Sequence, residues 1–478
     1  MKRSTLPLSL PAIIVGVVIV ATLSGCCHES AEWQIDTTLE WQSAASKLSG
    51  ITIEDDLAKS TAPNTTFTSN IRRFESKHKA KSITLKQSDS WDNWQQIARV
   101  ATPEMVDAPV LITVDDGDYW LLCRRYDTRP GNIEQTRKLY PDSELGYHAW
   151  HSSDMKSWKH YGAVSGYVER WVTTAEYCDG RFYIYYDNPN DQDPHLIVDE
   201  DLTDGKMGKN YGMVLSDPTN GSDCAIIRDV DGQFNLIYEN WDYNNARKQS
   251  WDAPVAGRAV SPDGINDFKI MPFAVDERTA PTGTRATFLH PYRPDPGEDY
   301  TSMEYEVRQE GQSAFGDWTA IKVGEKYYLF GDYDPYGGKI CTGKFVSNSL
   351  DEQFTFCGEL GSGHPDPTIG FAEGKFWLLQ QDKAKVDFIS DGPWVGGVEV
   401  RVGVDSNNDG LINSWTPWSE VKESYSRRKG FARIVDAAPA LCSLESLPAG
   451  YGFIFEYRTT ATEDQTANVA MSSITLKF

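Results

Sequence analysis

Five stretches of this chain share one plan: "DAPVLITVDDGDYWLL" from Asp107, "WVTTAEYCDGRFYIYY" from Trp171, "DCAIIRDVDGQFNLIY" from Asp223, "DWTAIKVGEKYYLF" from Asp317 and "DPTIGFAEGKFWLL" from Asp366. Each opens on a polar or aromatic residue, runs through a short apolar strand, turns at a glycine and returns as a strand of aromatic and aliphatic side chains. Asp-Gly and Gly-Lys/Glu turns favour tight hairpins. A β-sandwich could hold such hairpins, but recurrence with unequal insertions suits sheets arranged radially, each packed on its neighbours so that few edges stay open. The expected fold is therefore all-β, a five-bladed β-propeller over residues 96–394. Between hairpins, "YHAWHSSDMKSWKHYG" from Tyr147 reads as outer strands of a blade. The Pro-rich insertion from about Asp276 to Gln312 is long enough to be a functional loop over a ligand-binding face.

The flanks read differently. Lys2 and Arg3, the apolar stretch from Ala12 to Val20 and the box Leu23-Ser24-Gly25-Cys26 have the layout of an export signal. They resemble a bacterial lipoprotein signal over residues 1–25, with Cys26 as the lipidated N-terminus. That places the mature chain at a membrane surface, periplasmic or cell-surface, held only by its lipid. Residues 26–95 are polar and Ser/Thr-rich and read as a tether, with a weak helical pattern from Leu39 to Leu57 that allows a short helical pair. Residues 395–478 return to alternating runs, "VEVRVGVD" and "YGFIFEYR", and read as a C-terminal β extension. "SITLK" occurs at both Ser82 and Ser473, which for five residues carries no weight alone. The remaining cysteines are scattered singles without a CxxC pair; Cys341 and Cys357 are the pair near enough to test for a disulfide. A formal net charge of -23 disfavours nucleic acid and anionic lipid as partners.

The informative residues are the carboxylates that open the hairpins. A residue just ahead of an innermost propeller strand points into the central funnel, and Asp107, Asp223, Asp317 and Asp366 all hold that place. The second repeat has Thr174 there, with Glu176 two residues on. Converging carboxylates raise one another's pKa, so one stays protonated while another stays charged. Hydrolysis of a glycosidic bond needs that split. Clustered Asp also suits Ca²⁺, and any single Asp serves equally well as a turn cap. Trp171 and Trp318 are candidates for stacking on sugar rings, although filling blade interfaces is an equal use for them. Asp405, Asn407 and Asp409 imitate the first half of an EF-hand calcium loop, but Thr416 stands where the bidentate Glu belongs; a plain Asx-rich turn explains them as well. Serine nucleophile elbows, phosphate-binding glycine loops, zinc helices and dinucleotide fingerprints do not occur in usable context.

These blade openings and "AWHSSDMKSWKHYGAV" from Ala149 resemble the five-bladed glycoside hydrolases of family 43. "FGDWTAIKVGEKYYLFGDYDP", "GHPDPTIGFAEGKFWLL" and "VGVDSNNDGLINSWTPWSEVKE" are similar to family 117 anhydro-galactosidases. The resemblance runs from about Asp107 to the C-terminus. It implies an exo-acting, inverting hydrolase that releases a terminal sugar from an oligosaccharide, of algal galactan or arabinose/xylose type, without an organic cofactor and with Ca²⁺ as an option. By position, Asp107 matches the general base and Asp223 the Asp that orients and tunes the acid. The family acid is a Glu at the opening of the fourth blade, where this chain has Asp317; Glu304, Glu306, Glu176 and His364 are other acid candidates. His364 matches a His found under the central site, sometimes beside bound Ca²⁺; with Asp366, Trp171, Glu176 and Trp318 it completes the expected substrate-binding set. The alternatives are a non-catalytic glycan-binding lipoprotein and, given Arg124 and Arg125, a glycoside phosphorylase.

Overall fold

The computed structural model describes residues 32–478 except 61, 89–90, 101–103, 129–130, 191, 218–220, 241–255, 276–313, 336–338, 364 and 461–468. The five hairpins each grow into a sheet of four antiparallel strands, and the fourth is extended to six by Ile434–Ala438, which pairs in parallel with its inner strand, and Ser424–Arg427. Their inner strands are Val106–Asp115, Trp171–Cys178, Gly221–Arg228, Ala314–Val323 and Thr368–Ala372, followed outward by Asp118–Arg124, Arg181–Asp187, Phe234–Asn240, Lys326–Asp334 and Lys375–Leu379. We number these sheets blades one to five. The fifth is completed by chain from before the first: Gln95–Ala98 pairs antiparallel with Val386–Ser390. That exchange ties the two ends of the ring together and covers an edge that would otherwise be open.

What holds the ring is apolar packing between neighbouring blades. Val110, Ile112 and Leu122 of blade one meet Val172, Ile184 and Tyr186 of blade two. Equivalent cores join blades two and three, three and four, four and five, and five back to one, where Leu111 and Tyr119 pack with Trp377 and Leu379. These strands read as continuous apolar runs because both faces of each sheet are covered. The chain is thus an all-β, five-bladed propeller. Among the described residues no helix is long and apolar enough to cross a membrane.

The segment expected to be a tether is instead half of a second domain. Ser82–Gln87 and Leu57–Ser60 lie on either side of Val469–Lys477 in one sheet, while Thr66–Ser69 and Val398–Asp405 flank Gly450–Thr459 in another. Val398, Val400, Val402 and Val404 point into the core between the sheets with Ile83, Leu85, Phe67, Phe455 and Ile474, the period-two pattern of half-buried strands. Phe67 stacks between Phe455 and Tyr457 at centroid distances of 5.7 and 5.4 Å; truncating such a side chain costs about 3–5 kcal/mol. The two "SITLK" copies pair with each other, Ser82 opposite Lys477 and Leu85 opposite Ile474. In place of a helical pair there is one helix near the chain start, Thr38–Ala44, begun by a Thr37/Glu40 capping box. Neither half of this β-sandwich can bury its apolar face without the other, so residues 32–87 read alone as polar and unstructured.

Candidate active site

In blades three and four the inner strand breaks register at its axial end, with two residues opposite one: Asp223 and Cys224 between the Ser222–Glu239 and Ala225–Ile237 pairs, Asp317 and Trp318 between Gly316–Asp332 and Thr319–Phe330. Such bulges re-aim side chains. Asp223, Asp317 and Asp366 all take left-handed backbone, φ 42°, 50° and 31°, a conformation costing about 1–3 kcal/mol for a non-glycine residue. Each is secured by a carboxylate from the preceding blade that accepts its N–H: Asp187 for Asp223 at 3.2 Å, Glu239 for Asp317 at 3.0 Å and Asp332 for Asp366 at 2.9 Å. Asp187, Glu239 and Asp332 are buried.

The outcome is a dense acidic centre. Oxygens of Asp317, Asp332 and Asp366 lie within 4.8 Å of one another. Burial pushes Asp317 well above the usual carboxylate range, and repulsion from Asp366, Asp223, Asp332 and Glu239 adds to it. Burial also drives Asp223 up to about 6, against hydrogen bonds from Ser222 and Asp317. Both shifts favour the protonated forms, and the Asp317 carboxyl hydrogen-bonds that of Asp223. Ser222 Oγ bridges Asp223 Oδ2 and Glu239 Oε2 at 3.1 and 3.2 Å. The trio Asp317, Asp332 and Asp366 has the hard oxygen donors a divalent cation takes.

Blades one and two depart from this pattern. Arg124, opposite Val106, stands where blades three and four carry Glu239 and Asp332; its guanidinium lies 4.4 Å from the Trp171 ring. In blade two the Trp171–Asp187 and Thr174–Tyr185 pairs correspond to Ser222–Glu239 and Ala225–Ile237 of blade three, so Val172 and Thr173 stand in the places of Asp223 and Cys224 and this blade brings no carboxylate there. The expected Thr174 lies beyond the bulge, in the place of Ala225, because the bulge cannot be counted from sequence.

Not every expected residue joins the centre. Asp223, Asp317 and Asp366 do. Asp107 lies on the first inner strand, but its side chain falls outside the described residues, as do His364, Cys26, Glu304, Glu306, Trp241 and the insertion after Asp276. Glu176 does not face the carboxylates: its oxygens accept the N–H groups of Tyr177 at 2.9 Å and Arg228 at 3.2 Å, further down the channel. Trp318 offers no face to a ligand. With Asp317 turned to the axis, the next residue turns between blades, and Trp318 is buried against Phe345 at 5.4 Å. Trp171 is half-buried with Arg124 and Arg170 over its ring. Asp405 accepts from Asn408 and Gly410 N–H at 2.8 and 2.9 Å, and Asp409 accepts from Leu411 N–H and Asn407. These bonds fold the loop inward as an Asx-type turn. Cys341 and Cys357 are free thiols; Cys341 sits opposite Tyr333, and Cys357 falls at the irregularity beyond Lys344–Gly358.

Sequence reading missed Asp187, Glu239 and Asp332. Their signal was present: each closes the second strand of a hairpin, as "YYD", "YEN" and "FGD".

Comparison with solved structures finds similar folds. An endo-arabinase from Bacteroides thetaiotaomicron is 12% identical, over 59% of this chain and 90% of that one, with a TM-score of 0.40. A GH43_1 enzyme from Xanthomonas citri is 14% identical, over 67% and 93%, TM-score 0.39. An α-L-arabinofuranosidase from Clostridium thermocellum is 15% identical, over 65% and 93%, TM-score 0.37. No protein-family profile matches the sequence, and no curated protein matches it.

Proposed function

We propose that this chain is a glycoside hydrolase that releases a terminal sugar from an oligosaccharide with inversion, and that Asp317 is its general acid. The observation that carries this reading is the Asp317–Asp223 hydrogen bond within a carboxylate cluster. A carboxyl kept protonated at neutral pH by burial and neighbouring charge can hand its proton to a leaving oxygen, while a nearby carboxylate holds and tunes it. In this reading Asp223 orients the acid, and Asp107 is the base that draws a proton from water on the opposite face of the sugar. Inversion requires the base and acid carboxyls to stand about 6.5–9.5 Å apart, leaving room for that water. In the same reading Asp366 hydrogen-bonds sugar hydroxyls. The export signal fits a protein lipidated at Cys26 that meets its glycan outside the cytoplasm.

The test is the soluble chain from His28 onward against agaro-, carrageenan-, arabino- and xylo-oligosaccharides, with products followed by chromatography. Release of a monosaccharide is expected. Asp107→Asn and Asp317→Asn should lower kcat by about 10²–10⁴, the usual contribution of a general acid or base. An Asp107→Asn enzyme with full activity would remove the assigned base. Oligosaccharide binding without cleavage would replace hydrolysis by glycan binding, the reading favoured by the short Asp317 side chain where the resembled family carries Glu.

A further inference from the structure

One segment of the C-terminal region, Arg427 to Ala438, touches all five blades at the end of the channel away from the acidic centre. Arg427 forms an ion pair with Asp115 of blade one. Gly430 O accepts from Arg228 Nη1 of blade three at 3.4 Å, and Phe431 lies under the same guanidinium at 4.9 Å. The Ala432 N–H is bound by Glu176 of blade two. Ile434 pairs in parallel with Lys322 of blade four, where Lys322 N donates to Arg433 O at 2.9 Å and Gly324 N to Val435 O at 2.8 Å. Arg433 itself is buried, 3% exposed, on the axis. Its guanidinium donates to the carbonyls of Ala175 at 3.0 Å, Ala320 at 3.3 Å and Ile369 at 3.4 Å, which belong to the inner strands of blades two, four and five. Glu176 beside it supplies the compensating charge. Ala432 and Val435 enter the apolar cores between blades one and two and between four and five. Just beyond this segment, Ala440–Ser443 is a strand of the sandwich.

We infer that this segment is a built-in axle through which the sandwich fixes the spacing of the propeller's inner strands, and that Arg433 is its positioning residue. Ala320 and Ile369 are each three residues beyond an axial aspartate, Asp317 and Asp366. At about 3.3 Å per strand residue the guanidinium lies roughly 10 Å below the acidic centre. A planar cation with five donors can hold three carbonyls from separate blades at once; no apolar side chain and no lysine can match that geometry. The axle thereby holds Asp317 and Asp366 at their mutual distance, and the sandwich is an integral support for the site. This inference concerns the ring and does not depend on hydrolysis.

The test compares the full mature chain with Arg433→Met and Arg433→Lys by hydrogen exchange read by mass spectrometry, together with the infrared carbonyl band of the protonated Asp317 carboxyl, assigned by its loss in Asp317→Asn. In Arg433→Met, amides of 171–178, 314–323 and 368–372 should exchange at least about tenfold faster, the loss expected when charge-assisted hydrogen bonds go. Amides of 209–213 and 269–275 in outer strands should be unchanged, and the Asp317 band should shift. Arg433→Lys, which keeps the charge but not the fork, should fall between. If Arg433→Met fails to fold, Arg433→Lys carries the comparison alone. Unchanged inner-strand exchange with an unmoved band in a folded variant would overturn the axle; exchange rising equally in every strand would make Arg433 a general stabiliser and overturn its positioning role.

Discussion

The carboxyl of Asp317 hydrogen-bonds that of Asp223 across the junction of blades four and three. Both are raised above their unfolded value of about 3.9, so the folded protein prefers their protonated forms. The stability linked to them is complete below pH about 4 and is lost as pH rises through the folded values, about 6 for Asp223 and well above the usual carboxylate range for Asp317. Glu176, Asp193, Asp199 and Asp387, also raised by burial, add the same sign. His148, His160 and His195, lowered by burial, carry the opposite sign between pH 5 and 8, so the pair's share is read as the difference between the parent and a variant that cannot ionise at Asp317.

Asp317→Asn separates this pair from the rest. The amide keeps a donor toward Asp223 and cannot ionise, so this variant should show the flatter dependence on pH. At pH 8 it should be more stable than the parent, because an amide escapes the repulsion that raises the Asp317 carboxyl, while its activity falls. Calorimetry at the two pH values reads this directly; an Asn variant less stable than the parent at pH 8 would mean that the carboxyl is not under charge strain.

The ring closure gives a second expectation. Gln96 lies opposite Phe388 on the strand that completes blade five. Proline there fixes φ and has no N–H, and so fits a paired strand poorly. Gln96→Pro should lower the unfolding temperature and expose the Val386–Ser390 edge, with faster aggregation on heating. Because the strand comes from before blade one, the effect should spread to the packing of Leu111 and Tyr119 against Trp377 and Leu379. Unchanged exchange of those amides would show that the blade-five strand is dispensable.

The blades and their axial aspartates were legible because everything that makes a hairpin is local: an apolar run, a glycine turn, a second run. Register was less so. Val172 rather than Thr174 is in register with Asp223 and Asp317, because the bulge is invisible in the letters. Glu176 and Trp318 were placed wrongly for the same reason, since one step along a strand sends a side chain to the opposite face. The sandwich was hidden by distance: Ile83 is buried only because Leu476 lies beside it. Arg433 carries no local signal. An arginine between Ala432 and Ile434 gives no indication that five blades meet around it.

The Asp405 loop tests how far a motif can be trusted. Its spacing of Asp405, Asn407 and Asp409 matches a calcium loop, yet the backbone N–H groups of Asn408 and Gly410 point at Asp405, and Arg73 approaches it to 3.5 Å. N–H donors and a guanidinium stabilise a carboxylate and repel a cation. Addition of calcium or of a chelator should leave the unfolding temperature of the parent unchanged. Asp405→Ala should lower it, since the loop donors lose the acceptor that folds them inward, and Asp405→Asn, which still accepts through its amide oxygen, should lower it less. A rise in unfolding temperature with calcium that Asp405→Asn abolishes would show instead that the loop opens to bind the ion.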